Sequence, residues 1–240
     1  MNKPLIIQTG STFPSWRARK GDFADWVLAG MELTRQAVIL ADVQNGGALP
    51  GYDEVSGVVI TGSHAMVTEH LDWSERTAEW LVKAVARRIP ILGICYGHQL
   101  LAYALGGQVA DNPHGCEFGT TDVQLNGRAY RDSLFGGLPN PVKAHVCHTQ
   151  SVVQLPQGAM ALASSAMDRY QAFVMGDCAW GVQFHPEFDA HAVGLYIQHE
   201  RDRLEREGQD PDRLLAHVQA TPDASGLLKR FARLINAGAI

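Results

Sequence analysis

The sequence predicts a doubly wound α/β fold: a mostly parallel sheet flanked by helices on both faces and extended by antiparallel strands. Three observations predict it. Four compact apolar runs within the first 95 residues each end in glycine or a polar turn. Segments with helical spacing lie between them. From residue 119 onward the pattern changes to strand-like runs with turn signals, and the chain closes on helical segments. Runs that are apolar on both faces suit a parallel sheet covered from both sides. Alternation of strands and helices is how such sheets are built.

The elements follow in order. "PLIIQTG" (4–10) reads as the first strand. "GSTFPSWRARKGDFADW" (10–26) leaves it at the carboxyl edge of the sheet. It reads as a solvated loop leading into a helix. Its Trp16, Arg17, Arg19 and Lys20 also offer a surface for a carboxylate-rich substrate or a docking partner. "AVILADV" (37–43), "SGVVITG" (56–62) and "IPILGIC" (89–95) read as the next three strands. "DWSERTAEWLVKAVARR" (72–88) reads as a helix, with Trp73, Trp80, Leu81, Ala84 and Val85 near one face. A further helix is expected from about Tyr96, its Gly97, Leu101, Ala104 and Leu105 facing the sheet.

"GTTDVQLN" (119–126) and "PVKAHVCHTQSVVQLP" (141–156) look like strands with turns, and "QAFVMGDCAWGVQFHPE" (171–187) like a hairpin turning near "GDC". Residues 189–206, "PDRLLAHVQ" and "SGLLKRFARLI" carry helical spacing. No repeat, low-complexity tract or linker interrupts the chain. The expectation is one domain over 1–240, with a catalytic core over about 1–190 and a helical tail over about 190–240.

Composition excludes several function classes. The 240 residues suffice for one well-buried core. Hydrophobic residues are 46% and charged residues 19%, a globular balance without a disorder signal. The formal charge of −5 argues against a nucleic-acid partner, and "RARK" (17–20) is too short a basic run to change that. No apolar run reaches the roughly 18–20 residues of a membrane helix, and the N-terminus does not read as a signal peptide. Four widely spaced cysteines, Cys95, Cys116, Cys147 and Cys178, suit reduced thiols in a cytoplasmic protein.

The chemistry centres on "GICYGHQL" (93–100), where Cys95 stands between an apolar strand and an apolar helix with glycine two residues before and after it. A sharp strand-to-helix turn strains its apex and crowds the neighbours, and glycines at −2 and +2 relieve the crowding. This is the nucleophile-elbow frame with sulfur in place of oxygen. The free N–H groups and dipole of the following helix favour a thiolate. A buried structural cysteine ending a core strand fits the same residue taken alone, so a base is needed to decide. "HPE" (185–187) supplies one. Pro186 holds the chain extended, so His185 and Glu187 point the same way, and the carboxylate can orient the imidazole and stabilise its charge.

"GICYGHQLLAYALGG", followed some ninety residues later by "WGVQFHPE", resembles the class I (triad-type) glutamine amidotransferases, over roughly residues 57–187. The likeness is to the glutaminase domain of guanylate-synthase-type members. It implies the flavodoxin-like sheet of that family, with Cys95 as nucleophile, His185 as base and acid, and Glu187 as orienter. It implies an oxyanion hole from the backbone N–H groups of Gly62 and Tyr96. Gln99 would line the glutamine pocket, and the backbone around Cys147, His148 and Thr149 would hold the substrate's amino-acid end. No metal or cofactor is implied. "HVCH" (145–148) suggests a metal site only superficially, because on a strand His145 and Cys147 face away from His148.

The chain departs from the family pattern in three ways. "VVITGS" stands for the usual Gly-Gly-Pro loop, although Gly62 keeps the residue whose backbone would meet the substrate. "HTQSVVQLP" stands for a Ser-His-x-Asp-type segment, so Gln150 replaces an acid. No second, synthase-like catalytic domain or P-loop can be read, so ammonia would go to an acceptor on a partner synthase. Three functions are therefore expected as alternatives. One is a glutaminase feeding ammonia to a partner, and another is a stand-alone hydrolase or peptidase on another small γ-glutamyl compound. The third is a non-catalytic regulatory protein on this fold, against which the intact Cys-His-Glu set argues.

Overall fold

The computed structural model describes residues 2–237. The four apolar runs form strands β1 (Lys3–Gln8), β2 (Ile39–Asp42), β3 (Val55–Ile60) and β4 (Ile91–Ile94). Helices α1 (Pro14–Lys20) and α2 (Phe23–Met31) fall between the first two strands, and α3 (Asp72–Ala86) between the third and fourth. Helix α4 (Tyr96–Ala104) follows β4 without a linker. Strands β5 (Gln108–Asp111), β6 (Glu117–Leu125), β7 (Val142–His148), β8 (Gln150–Gln154), β9 (Ala159–Ser164), β10 (Ala172–Met175) and β11 (Ala179–Val182) come next. Helices α5 (Ala190–His199), α6 (Arg201–Arg206), α7 (Pro211–Ala216) and α8 (Pro222–Ala237) close the described chain.

Nine strands form one sheet in the order β2-β1-β3-β4-β11-β10-β9-β6-β7. The pairings from β2 to β11 are parallel, and those beyond are antiparallel. β5 and β8 make a separate antiparallel pair. The expected mixture is present: a parallel half flanked by helices and an antiparallel extension.

Strand alternation sorts the core into two layers. Ile6, Val59, Leu92 and Ile94 face α2 and α8, where Val27, Leu228 and Phe231 complete one cluster. Leu5, Ile7, Val58, Ile60 and Ile91 face α3 and α4, where Leu81, Leu100 and Leu101 complete the other. Burial on α3 centres on Ala78, Leu81 and Ala84, while Trp73, Trp80 and Val85 are only half-buried at its flank. On α4, Gly97 and Leu101 are buried as expected, whereas Ala104 and Leu105 at its end are half-buried.

Two segments differ from expectation. The start of 10–26 is not only a loop. Pro14 opens α1, where a fixed φ and a missing N–H cost nothing. Arg17, Arg19 and Lys20 crowd its last turn, where the helix dipole favours cations. Asp22 and Asp25 then form a capping box for α2. Strand β9, "AMALAS", has no β-branched residue and therefore carries no strand signal of its own.

One pairing positions the site. β11 lies beside β4 in register, Gly181 opposite Gly93 and Val182 opposite Ile94. The residues that follow both strands therefore meet at the carboxyl edge of the sheet, where open α/β sheets bind ligands.

Candidate active site

Cys95 sits at the junction of β4 and α4 with φ 50° and ψ −101°. A non-glycine residue with positive φ outside the left-handed helical well is strained and needs its surroundings to hold it. The cysteine N–H donates to Val182 O at 2.8 Å, and its own carbonyl accepts from Gln99 N at 3.1 Å. The flanking glycines have a steric cause. A Cβ at Gly93 would stand 2.4 Å from the Gly97 carbonyl oxygen, and one at Gly97 would stand 2.5 Å from that of Ile60. Both are far inside van der Waals contact, so the elbow closes only with glycine on either side. The Tyr96 hydroxyl hydrogen-bonds with Ser74 Oγ at 2.7 Å, and burial pushes its phenol up to about 12.

His185 Nδ1 lies 2.8 Å from Glu187 Oε1, and both side chains are buried. The geometry differs from the expected extended chain. Pro186 and Glu187 form a turn, with Phe188 N donating to His185 O at 3.4 Å. Proline favours the second position of such a turn through its fixed φ, and the turn rather than strand alternation brings the carboxylate to the ring. His185 N also donates to His145 O at 2.8 Å, and Phe188 stacks on the imidazole at 4.0 Å. Burial disfavours the imidazolium, but the Glu187 charge, followed by that of the Cys95 sulfur, outweighs it and raises His185 well above the ordinary histidine range.

Gly62 stands between the two groups. A Cβ there would lie 3.3 Å from His185 Cε1 and 3.9 Å from Cys95 Cβ. The peptide carrying the Gly62 N–H is braced by Thr9, whose hydroxyl donates to Thr61 O at 2.9 Å, and the Gly62 carbonyl accepts from Thr61 Oγ1 at 3.0 Å. Thr9 escaped sequence reading because it ends a different strand and carries no motif.

Cys95 opens onto a cavity of about 270 Å³, also lined by Gln99, Cys147, His148 and Thr149. Gln99 Nε2 is committed to Gln150 O at 2.7 Å and to Gln183 Oε1 at 3.0 Å. His148 is braced from both sides, Nδ1 at 3.0 Å from Gln150 O and Nε2 at 3.0 Å from Glu117 Oε2. Gln150, where an acid is usual, donates its amide to Thr68 Oγ1 and Asp111 Oδ1. These hydrogen bonds tie the side chains of the wall to one another and to the backbone.

The cavity is also lined by Phe13, from the 10–26 segment expected at this edge of the sheet, and by His64, Tyr196, His199, Glu200 and Arg203, which no motif singled out. Tyr196 Oη bridges Thr12 Oγ1 and His64 Nε2, each at 3.1 Å. A larger cavity of about 620 Å³, lined by Trp16, Trp26, Glu187 and Phe188, lies apart from this one and does not reach Cys95. Of "HVCH", His145 meets Thr120 Oγ1 while His148 meets Glu117 on the other face. Among the described residues no three His, Cys, Asp or Glu side chains converge as a metal site requires.

The family model described as "Glutamine amidotransferase class-I" matches residues 39–199. The chain is 39% identical over 147 residues to a glutamine-hydrolyzing GMP synthase subunit of Sulfolobus acidocaldarius, covering 60% of this chain and 73% of that one. It is 29% identical over 140 residues to "Gamma-glutamyl peptidase 3" of Arabidopsis thaliana, covering 57% of this chain and 56% of the relative. Its match to the longer GMP synthase of Aeropyrum pernix, 37% identical, takes in 59% of this chain but only 25% of that protein. A glutamine amidotransferase from Thermotoga maritima superposes over 98% of both chains with a TM-score of 0.75 at 23% identity, a likeness of fold.

Proposed function

The chain belongs to the class-I glutamine amidotransferases, and from that premise we propose that it hydrolyses the γ-amide of glutamine through a thioester on Cys95. The observation that carries this reading is the strained Cys95 elbow beside a buried His185–Glu187 pair. An imidazolium next to a sulfur favours the nucleophilic thiolate. The sulfur attacks the γ-carbonyl, and the backbone N–H groups of Gly62 and Tyr96 receive the developing oxyanion. Losing one such donor costs about 10²–10³ in rate. The C–N bond then breaks as His185 gives its proton to the leaving ammonia. A water molecule, deprotonated by His185, attacks the γ-glutamyl thioester and releases glutamate and the thiolate. Glu187 keeps the imidazole oriented and balances its charge throughout. The Cys147–Thr149 backbone holds the amino-acid end of the substrate.

On this reading the ammonia passes to a synthase partner, which the likeness to a GMP synthase subunit supports. A second reading is supported by the likeness to a γ-glutamyl peptidase: the same thioester forms from another small γ-glutamyl compound and is hydrolysed without a partner. We also treat residues 1–240 as one amidotransferase domain, because α8 shares a hydrophobic cluster with β1, β3 and β4.

A γ-diazoketone analogue of glutamine tests the common step. It should alkylate Cys95, and excess glutamine should protect it. Iodoacetamide labelling of Cys95 with no γ-diazoketone adduct would remove the γ-glutamyl substrate from both readings. Turnover of glutamine against γ-glutamyl peptides by the isolated chain separates the two.

A further inference from the structure

The larger cavity, of about 620 Å³, lies against the turn that carries Glu187 and does not include the sulfur of Cys95. Its volume falls within the roughly 300–1,000 Å³ of small-molecule sites. One side comes from the 10–26 segment, whose two tryptophans the chemistry at Cys95 does not use. Trp16 and Trp26 are half-buried and meet edge to face at 5.7 Å. Trp26 is pinned: its indole Nε1 donates to Lys20 O at 2.8 Å, and its ring packs on Phe188 at 5.6 Å. Trp16 also lies 5.2 Å from the His191 ring. Fixed aromatic walls of this kind take a flat ring. The other side is the turn itself, with Pro186, Glu187 and Phe188 in the lining.

The charges of the cavity set the sign of its ligand. Both lining carboxylates are engaged. Glu187 Oε1 holds His185 at 2.8 Å, and Asp189 Oδ1 accepts from Ala192 N at 2.7 Å. Asp189 stands at the start of α5, where the helix dipole offsets its charge. The donors are not engaged. Lys20 is the one Lys or Arg of the lining, and its ammonium has no hydrogen bond or ion pair among the described residues. The same holds for the Ser225 hydroxyl and the His191 ring nitrogens. A cavity whose acids are paired and whose donors are free suits an anion.

Occupancy bears on the reaction through the turn. The hydrogen bond that closes it, Phe188 N to His185 O, is long at 3.4 Å, where such bonds run about 2.7–3.2 Å. A ring seated against Pro186 and Phe188 limits movement of this loosely closed turn and keeps Glu187 on His185. More of Cys95 is then thiolate, the reactive form. We infer that this cavity is an activating effector site for a flat aromatic carboxylate, with the ring against Trp16, Trp26 and the turn and the carboxylate on Lys20. The site goes beyond the γ-glutamyl reading above, while its effect rests on the Cys95, His185 and Glu187 set of that reading.

Indole-3-acetate is the probe for the test, beside indole-3-acetamide, which lacks the charge, and cyclohexylacetate, which lacks the aromatic ring. Calorimetric titration of the full chain should show saturable one-to-one binding of indole-3-acetate. The acetamide should bind about 3-fold to 5-fold more weakly, as for loss of an exposed charge pair. Cyclohexylacetate should bind about 2-fold to 10-fold more weakly, as for loss of aromatic packing. Lys20→Met should lose the preference for the carboxylate, and Trp16→Leu the preference for the aromatic ring, with circular dichroism reporting the fold. At saturation, indole-3-acetate should speed iodoacetamide labelling of Cys95 about 5-fold, the low end of coupling between two sites. No binding, equal affinity for the three probes, or wild-type preferences in both variants overturns the site. Binding with both preferences but an unchanged rate at Cys95 overturns its role as an effector site. A chain that passes this test and still takes no γ-diazoketone loses the γ-glutamyl reading and keeps the effector site.

Discussion

At the residue scale, the four cysteines separate by environment. Burial pushes Cys116 up to about 12, raises Cys178, and raises Cys147 well above its usual range. These three are held as thiols, whereas Cys95 meets the raised His185 at a helix start. Limited alkylation at neutral pH followed by peptide mapping should therefore label Cys95 first, and faster labelling of any other cysteine in the folded chain would contradict the elbow. The His185–Glu187 pair makes a graded prediction. His185→Ala should lower turnover by about 10²–10⁴-fold or more, the span of general acid–base catalysis. Glu187→Gln should lose less, since an amide still holds the ring but cannot balance its charge. Circular dichroism on both variants separates lost chemistry from lost fold, and wild-type turnover in His185→Ala would point to another base. The elbow and "HPE" were legible in the sequence because both are local. The contacts that brace the site were not: Thr9 on Thr61, and Glu117 on His148, join residues far apart in the chain.

At the scale of elements, the packing of α4 on the sheet depends on Gly97. A Cβ there would meet Ile60 O at 2.5 Å and Ile60 Cβ at 2.7 Å, both on β3. Gly97→Ala must push the helix start outward, and overpacking of this kind costs about 1–3 kcal/mol. In a chain of this length that lowers the thermal midpoint by roughly 2–4 °C for each kcal/mol. The Tyr96 N–H moves with the helix, so kcat should fall as well. An unchanged midpoint by calorimetry would mean that α4 is not held against β3 at this point. The strands of the parallel half could be read from their apolar runs, each buried on both faces. β9 could not be, because its small alanines become a strand only when β6 and β10 pair on either side.

At the scale of the molecule, two buried groups report on the whole fold. His98 is fully buried, neither ring nitrogen has a partner among the described residues, and burial lowers it from 6.5 to about 4. A histidine whose folded value is depressed leaves stability unchanged above its unfolded value. As pH falls from 6.5 toward 4, the unfolded chain takes up the proton first and stability is lost. His145, lowered to about 4 by burial, acts in the same direction. Urea unfolding between pH 7 and 4 should show this decline, and His98→Leu should flatten it; parallel profiles would exonerate His98. Phe231 on α8 is fully buried and meets the buried Trp180 ring edge-on at 6.2 Å. Phe231→Ala should cost about 3–5 kcal/mol and shift a single cooperative transition. An early, separate transition of the C-terminal helices would argue against one domain.

By itself the sequence determined the parts that depend on near neighbours. Apolar runs made the parallel strands, glycines at −2 and +2 made the turn at Cys95, and Pro186 with Glu187 placed a carboxylate within reach of His185. Those features follow from sterics and side-chain reach over a few residues. The tertiary structure alone decided that β11 lies beside β4, which carries His185 to Cys95 from ninety residues away in the chain. It alone brought Phe13, Tyr196, Glu200 and Arg203 to one wall of the cavity. Strand order and helix docking are set by burying apolar faces across long loops, and that burial energy depends on which surfaces meet rather than on residues adjacent in sequence.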